Sequence, residues 1–227
     1  SGQVRTSIRN RHDIDYGQET WLKEHRKLDG PEARDPSASQ AGSLRAVRQQ
    51  ETLGLDHAIW CARALIGDDP FAILLPDDLV QSEKGCLKQL AEAYNETGGS
   101  VVAVSEVPRE HTNRYGILDV GHDDGRLVEV RGLVEKPKPE ESPSNLSIIG
   151  RYVLTPHVMR HLAKLERGAG GEVQLTDAMA KTIGEVPFYG LRYEGTRYDC
   201  GNKLGFLEAQ IAFALQRPEL ADGVRSF

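Results

Sequence analysis

The sequence is short of cysteine, of basic charge and of long apolar runs, and each shortage removes a class of function. Its three cysteines, Cys61, Cys86 and Cys200, are odd in number and widely spaced, with no CxxC and no histidine pair at ligand spacing. Neither a disulfide framework nor a zinc site is expected from that pattern, and a reducing compartment suits it. Lysine and arginine number 28 against 34 aspartates and glutamates, a net charge of -6. No basic stripe is available to neutralise the phosphates of a duplex, so nucleic acid is not an expected partner, although a small anion can still bind locally. Apolar runs are no longer than short strands such as Phe71–Leu75, far below the ~20 residues that a membrane-crossing helix requires. The N-terminus is charged rather than signal-like, so the expected location is the cytoplasm, with no membrane partner.

What is present is ordinary for a globular protein: 227 residues, 39% hydrophobic and 27% charged, enough for one sizeable core or two modest ones, with one large α/β domain as the default. Residues 1–43 read as a polar helical and linker segment, with a loop-like stretch from Gly30 to Gly42. Residues 44–227 carry the patterned part. A short strand is expected over Leu44–Arg48, then a helix in which Leu55, Ala58, Ile59, Ala62, Leu65 and Ile66 share a face that ends at Gly67. Phe71–Leu75 is apolar throughout and stops at Pro76-Asp77-Asp78, as a central strand buried on both faces would. A helix with Leu87, Leu90, Ala91 and Tyr94 on one face is closed by Gly98-Gly99, and Ser100–Val107 is the next strand. These passages predict a mostly parallel, Rossmann-like sheet with helices on both faces.

The pattern then changes. Gly116–Val120, a Gly121–Gly125 turn and Arg126–Glu135 predict an inserted β-hairpin. Leu146–Leu154 is a further strand, and Thr155-Pro156 opens a helix as N-cap and N1. The glycine cluster Gly168–Gly171 precedes a helix from about Val173 to Ile183, and Phe188–Tyr193 is a strand. A last helix that stops before Pro218 is expected to bury Leu204, Leu207, Ile211, Ala214 and Leu215. No internal repeat is visible.

Ligands of open α/β sheets sit beyond the carboxyl ends of the strands, where Asp77 falls. Asp77 with a distant Asp199 would suit Mg²⁺ bound to a nucleotide, because that ion takes a few carboxylates together with phosphate oxygens and water. Position alone leaves it equally open that Asp77 and Asp78 cap the following loop. Glu135-Lys136-Pro137 ends a strand with an acceptor for sugar hydroxyls and a compact cation for a phosphate. In isolation a solvated strand end explains those two residues as well. Gly116 admits a ligand close to bare backbone, though a simple turn would account for it too.

The order of the motifs is more specific than any one of them. Gly54-Leu-Asp-His-Ala58, Leu75-Pro-Asp77, Arg114-Tyr-Gly116, Val134-Glu-Lys-Pro137, Pro143-Ser-Asn-Leu146, Gly150-Arg-Tyr-Val-Leu154, Glu172-Val-Gln-Leu-Thr-Asp177 and Tyr198-Asp-Cys-Gly201 succeed one another in a way that resembles bacterial UTP:glucose-1-phosphate uridylyltransferases. The resemblance covers about 44–227. It implies a Rossmann-like fold, Mg²⁺ as cofactor, UTP and glucose 1-phosphate as substrates, and a homodimer or homotetramer. Residue by residue it implies that Gln49 and Gly54 contact the uracil, and that Asp77 holds Mg²⁺ with Asp199. It further implies that Gly116 and Glu135 hold the glucose hydroxyls and Lys136 the phosphate, with Lys136 and Asp77 as the catalytic pair.

Two departures from the family pattern qualify the expectation. The family's opening strand and GxGTRxxP loop, and the EMLP-like lysine motif after it, are not found in the 227 residues, so the first βα units of the fold are expected to be absent and activity is in doubt. Residues 1–43 match the family only loosely, through Ile8, Asp13 and Tyr16. Asp56 stands where the family has glycine in GLGHA, either as an anionic side chain beside the nucleotide pocket or as a helix N-cap. The alternatives are a non-catalytic sugar-phosphate-binding remnant or regulatory subunit, and a nucleotidyltransferase of other base specificity.

Overall fold

The structure, a computed structural model, describes residues 45–50, 53–164 and 174–227. The segment 1–43, Leu44, the glycine cluster 168–171 and the Glu172-Val173 start of the expected helix lie outside the described residues. The chain divides into two units, Ser1–Arg48 and Gln49–Phe227, and, apart from the backbone of residues 45–48, everything that follows belongs to the second.

Six strands form the main sheet: β1 (Phe71–Leu74), β3 (Ser100–Glu106), β4 (Gly116–Asp123), β5 (Leu127–Glu135), β6 (Leu146–Leu154) and β7 (Phe188–Arg192), in the order β1-β6-β3-β7-β5-β4. Two further strands, β2 (Asp78–Gln81) and β8 (Thr196–Asp199), make a separate antiparallel ribbon. The helices are α1 (Leu55–Cys61), α2 (Arg63–Ile66), α3 (Cys86–Thr97), α4 (His157–Leu162), α5 (Leu175–Ala180), α6 (Lys203–Leu215) and α7 (Pro218–Ser226).

The α/β class and the helices on both faces agree with the sequence, and the pairing of the strands corrects it. Among the described residues only β3 and β7 pair in parallel; the other pairings in the sheet are antiparallel. The reason is β6. It runs between β1 and β3 and against both, so the two strands joined by the α3 crossover point the same way without touching. All nine residues of β6 are buried, as expected of a strand covered on both faces. Its alternate residues supply both cores. Ile148, Tyr152 and Leu154 join Val102, Val104, Val158 and Met179 on one side, while Ile149 and Val153 join Val101, Ala103, Leu90 and Ala93 of α3 on the other.

Three local expectations change. Residues 45–50 form no strand. Phe71–Leu74 pairs only with β6 among the described strands and leaves Leu74 49% exposed, so it is an edge rather than a central strand. The helix α6 buries Gly205 and Ala209, not its leucines: Leu204, Leu207, Ile211 and Leu215 are exposed. Small residues on that stripe let α6 lie close to β8, which turns the larger side chains outward. As expected, α6 stops before Pro218; that proline is the N1 residue of the further helix α7, where its missing N–H costs nothing.

Candidate active site

The β2–β8 ribbon gives the neighbouring acids Asp77 and Asp78 different roles. Asp78 is buried, accepts a hydrogen bond from the Gly150 amide at 2.8 Å and is gripped by the Arg197 guanidinium through Nε and Nη2. Burial opposes the charge on Arg197, but its bonds to Asp78 and Tyr115 outweigh that cost and hold its pKa above the usual arginine value. Asp78 therefore fastens the ribbon to β6 rather than capping a loop. Asp77, one residue earlier, is exposed.

The same ribbon sets Asp78 opposite Asp199 in register, and the Cys200 amide donates to the Asp77 carbonyl at 2.7 Å. A β-carbon built on Gly205 would collide with the carbonyl of Asp199, so glycine there lets the first turn of α6 press on Asp199 and hold it. The outcome is convergence. A β-carbon on Gly201 would stand 3.0 Å from Asp199 Oδ1 and 3.5 Å from Asp77 Oδ2, so both carboxylates border one small space that glycine leaves open.

The hairpin supplies the opposite wall. Gly116 opens β4 and pairs in register with Glu135, the last residue of β5. Thr176 of α5 donates its hydroxyl to Glu135 Oε2 at 2.7 Å, which fixes the carboxylate's orientation. A side chain at Gly116 would lie 3.1 Å from that hydroxyl and 3.2 Å from the carboxylate, so the space before them stays free. Strand alternation would send Lys136 to the face opposite Glu135. Its φ of 46° prevents this; among the described residues it is the only non-glycine with positive φ. Nζ of Lys136 comes back to 3.5 Å from Glu135 Oε1. A left-handed lysine costs roughly 1–2 kcal/mol, and such strain persists where the surroundings enforce it, commonly at functional sites.

The two walls face one cleft of about 480 Å³, lined by Asp77, Asp199, Gly116, Glu135, Lys136 and Thr176 together with Asp56, Arg114, Tyr152 and Arg197. Gln49 and Gly54 do not line it. Gln49 Nε2 donates to the Gly54 carbonyl at 2.8 Å and lies 3.0 Å from His57 Nδ1, shaping the loop that leads into α1; the two residues after that loop, Leu55 and Asp56, reach the cleft instead.

Asp56 is not the helix N-cap, which is Gly54 at φ 93°. It lies in the first turn of α1, 4% exposed, and its Oδ1 has no hydrogen-bond partner. Burial pushes its carboxyl from 3.8 up to about 7, opposed by the amides of Asp56 and Leu175 and reinforced by the charges of Glu135 and Asp177. Sequence reasoning marked Asp56 as a departure but not as a buried acid of the cleft. Thr176 and Arg197 were missed, although Thr176 lies within the Gln-Leu-Thr-Asp motif; their roles depend on which strand end each one meets.

A family model described as nucleotidyl transferase matches residues 30–215. A UTP–glucose-1-phosphate uridylyltransferase of Komagataeibacter xylinus is 60% identical over 204 residues, covering 90% of this chain and 72% of that protein. The enzyme of the same name from Bacillus subtilis is 43% identical over 227 residues, covering 100% of this chain and 77% of that protein. Among solved structures, UTP-bound UGPase from Acinetobacter baumannii superposes with a TM-score of 0.83 at 35% identity, covering 97% of this chain and 77% of that one. An apo UDP-glucose pyrophosphorylase gives 0.84 at 33% identity, covering 94% and 78%. Identity of this extent over most of both partners, on a shared fold, places the chain in the nucleotidyl transferase family among the UTP–glucose-1-phosphate uridylyltransferases.

Proposed function

We infer that the chain transfers the uridylyl group of UTP to glucose 1-phosphate, giving UDP-glucose and pyrophosphate. The observation that carries this reading is the single cleft with an acid pair, Asp77 and Asp199, on one wall and a sugar-phosphate pair, Glu135 and Lys136, on the other.

The nucleophile is an oxygen of the sugar phosphate, which attacks the α-phosphorus in line as the bond to pyrophosphate breaks. The second pKa of a phosphate monoester lies near ~6, so that oxygen is ionised at neutral pH and no general base is required. What the chain must supply is orientation and charge compensation. Glu135, held by Thr176, accepts hydrogen bonds from the sugar hydroxyls over the open backbone of Gly116. Lys136, turned back by its left-handed backbone, meets the phosphate. Gln49 and Gly54 act on the uracil side by holding the loop before α1.

Family membership supports a divalent metal, and we assign Mg²⁺ to Asp77 and Asp199. The fit is in the donor set: two carboxylates around a space kept open by Gly201, all-oxygen and too few to form a protein cage, as Mg²⁺ with phosphate and water ligands prefers. When bound, the ion offsets the negative charge of the triphosphate. We place the protein in the cytoplasm, where its three unpaired cysteines stay reduced, and as a dimer or tetramer, for which the exposed Leu204, Phe206, Leu207 and Ile211 of α6 offer an apolar face.

The test is pyrophosphate release on adding UTP, Mg²⁺ and glucose 1-phosphate, with dTTP, CTP and GTP as competing donors. UDP-glucose as the main product supports the reading. Preference for another base would move the chain to a different nucleotidyltransferase specificity, and sugar-phosphate binding without turnover with any donor would favour a regulatory role.

A further inference from the structure

We propose that Asp56 is a specificity-determining residue of the acceptor site, its carboxyl taking one ring hydroxyl of the sugar phosphate beside Glu135. This rests on the reading of the cleft as a sugar-phosphate site and adds to it a recognition group that the family motif, with glycine at this position, does not contain.

Three observations carry it. Asp56 lines the cleft yet is 4% exposed, and its Oδ1 is buried without a partner. The buried carboxylate of Asp78 and the buried hydroxyl of Thr176, which also line the cleft, both have partners. An unpaired buried oxygen is unfavourable in the free protein, and a bound group that satisfies it recovers that loss.

The groups acting on the carboxyl fix its place along the cleft. They are the Leu175 amide and Asp177 of α5 and Glu135 of β5, while Tyr152 of β6 feels Asp56 in turn. This is the end where Thr176 meets Glu135 over Gly116, not the end where Asp77 and Asp199 converge.

The chemistry of that end selects the partner. Glu135 and Asp177 repel a phosphate, and Asp56 adds to this when ionised, so the anion must lie further along, towards Lys136. A hydroxyl suits the acids whatever their charge, because it donates to a carboxylate and accepts from a carboxylic acid. A site built around such a bond rejects analogues that lack the hydroxyl far more strongly than an apolar pocket rejects a change of shape.

Calorimetric titration of the full chain with glucose 1-phosphate and its 2-, 3-, 4- and 6-deoxy analogues tests the proposal, comparing wild type with Asp56→Ala and Asp56→Asn. The expected result is that Asp56→Ala weakens glucose 1-phosphate by roughly ten-fold or more and also abolishes wild-type discrimination against one deoxy analogue. The KM for UTP should move less than about two-fold. Asp56→Asn, which keeps the volume and a hydrogen-bonding group, should retain part of the discrimination and guards against a misfolded alanine variant. Unchanged ranking of the analogues in both folded variants would overturn the inference while leaving the function intact. Absence of glucose 1-phosphate binding by wild type would overturn the reading of the cleft, and the inference with it.

Discussion

The carboxylates of Asp77 and Asp199 meet over Gly201, which would carry a β-carbon 3.5 Å from one and 3.0 Å from the other. Gly201 is not among the residues with positive φ, so Gly201→Ala tests space and not backbone freedom. The methyl group would occupy the gap between the acids, and the concentration of Mg²⁺ needed for half-maximal activity should rise several-fold with little change in melting temperature. Asp77→Asn and Asp199→Asn should each lower kcat by about 10²–10³, the order seen when one charge-stabilising group is lost. A metal titration of initial rates checks all three variants.

Buried Asp78 and partly buried Arg197 form an ion pair that holds the ribbon behind those acids. Asp78→Ala leaves a partly buried guanidinium without its anion, which should destabilise the fold by about 2–3 kcal/mol, below the ~3–5 kcal/mol of a fully buried pair because Arg197 also borders the cleft. Replacing both members with apolar residues of similar volume should cost much less, since the uncompensated charge is then gone. Urea unfolding of the single and double variants distinguishes these outcomes. Equal losses would mean that the pair contributes packing rather than charge.

Lys136 and Glu135 should separate in binding. Lys136→Ala removes the cation we assign to the phosphate, whereas Glu135→Gln keeps an acceptor within reach of Thr176 and of the sugar position we propose. Calorimetry with glucose 1-phosphate should show the larger loss for Lys136→Ala, about ten-fold or more against a few-fold. Lys136→Gly should in addition raise stability slightly, because glycine accepts the φ of 46° without strain.

The outward row on α6 bears on assembly. Leu204, Phe206 and Leu207 are each more than half exposed, an apolar cluster of the kind that marks an interaction surface. Leu207→Glu should shift the chain towards monomer in light scattering while leaving its melting profile cooperative. An unchanged mass would place the subunit contact elsewhere.

Much of this was legible from residues alone because the signals were local. Gly98 closes α3 in a left-handed cap, and the hairpin that ends in Glu135 follows its turn residues. What was not legible depends on contacts distant in the chain. An apolar strand such as Phe71–Leu74 carries no mark of whether one neighbour or two will flank it, and nothing in Leu146–Leu154 announces that it enters the sheet against the crossover strands. The burial of Asp78 rather than Asp77 needs Arg197, more than a hundred residues away. The leucines of α6 look like a core face until Gly205 and Ala209 offer a closer approach to β8. Asp56 was visible as an odd residue in a familiar motif, but its burial required knowing that the first turn of α1 enters the cleft beside Leu175 and Glu135.

That burial has a consequence for stability independent of any ligand. Because the folded carboxyl of Asp56 titrates at about 7 against an ordinary 3.8, the folded protein holds this proton more tightly than the unfolded chain does. The protonated form is fully retained below about pH 4, so the group exacts no penalty there. As pH rises from about 4 to about 7 the unfolded chain releases the proton first, and the stability gained from a neutral Asp56 is lost, completely so above the folded pKa. Asn resembles the neutral acid and cannot ionise. Asp56→Asn should therefore melt close to wild type near pH 4 and increasingly above it as pH rises to 8, by roughly 2–4 °C for each kcal/mol recovered in a chain of this size. Calorimetric melts of the two proteins across pH 4–8 check the sign. A variant that melts below wild type at pH 8 would mean that the ionised carboxylate is stabilised in the fold, and that its unpaired oxygen has found a partner.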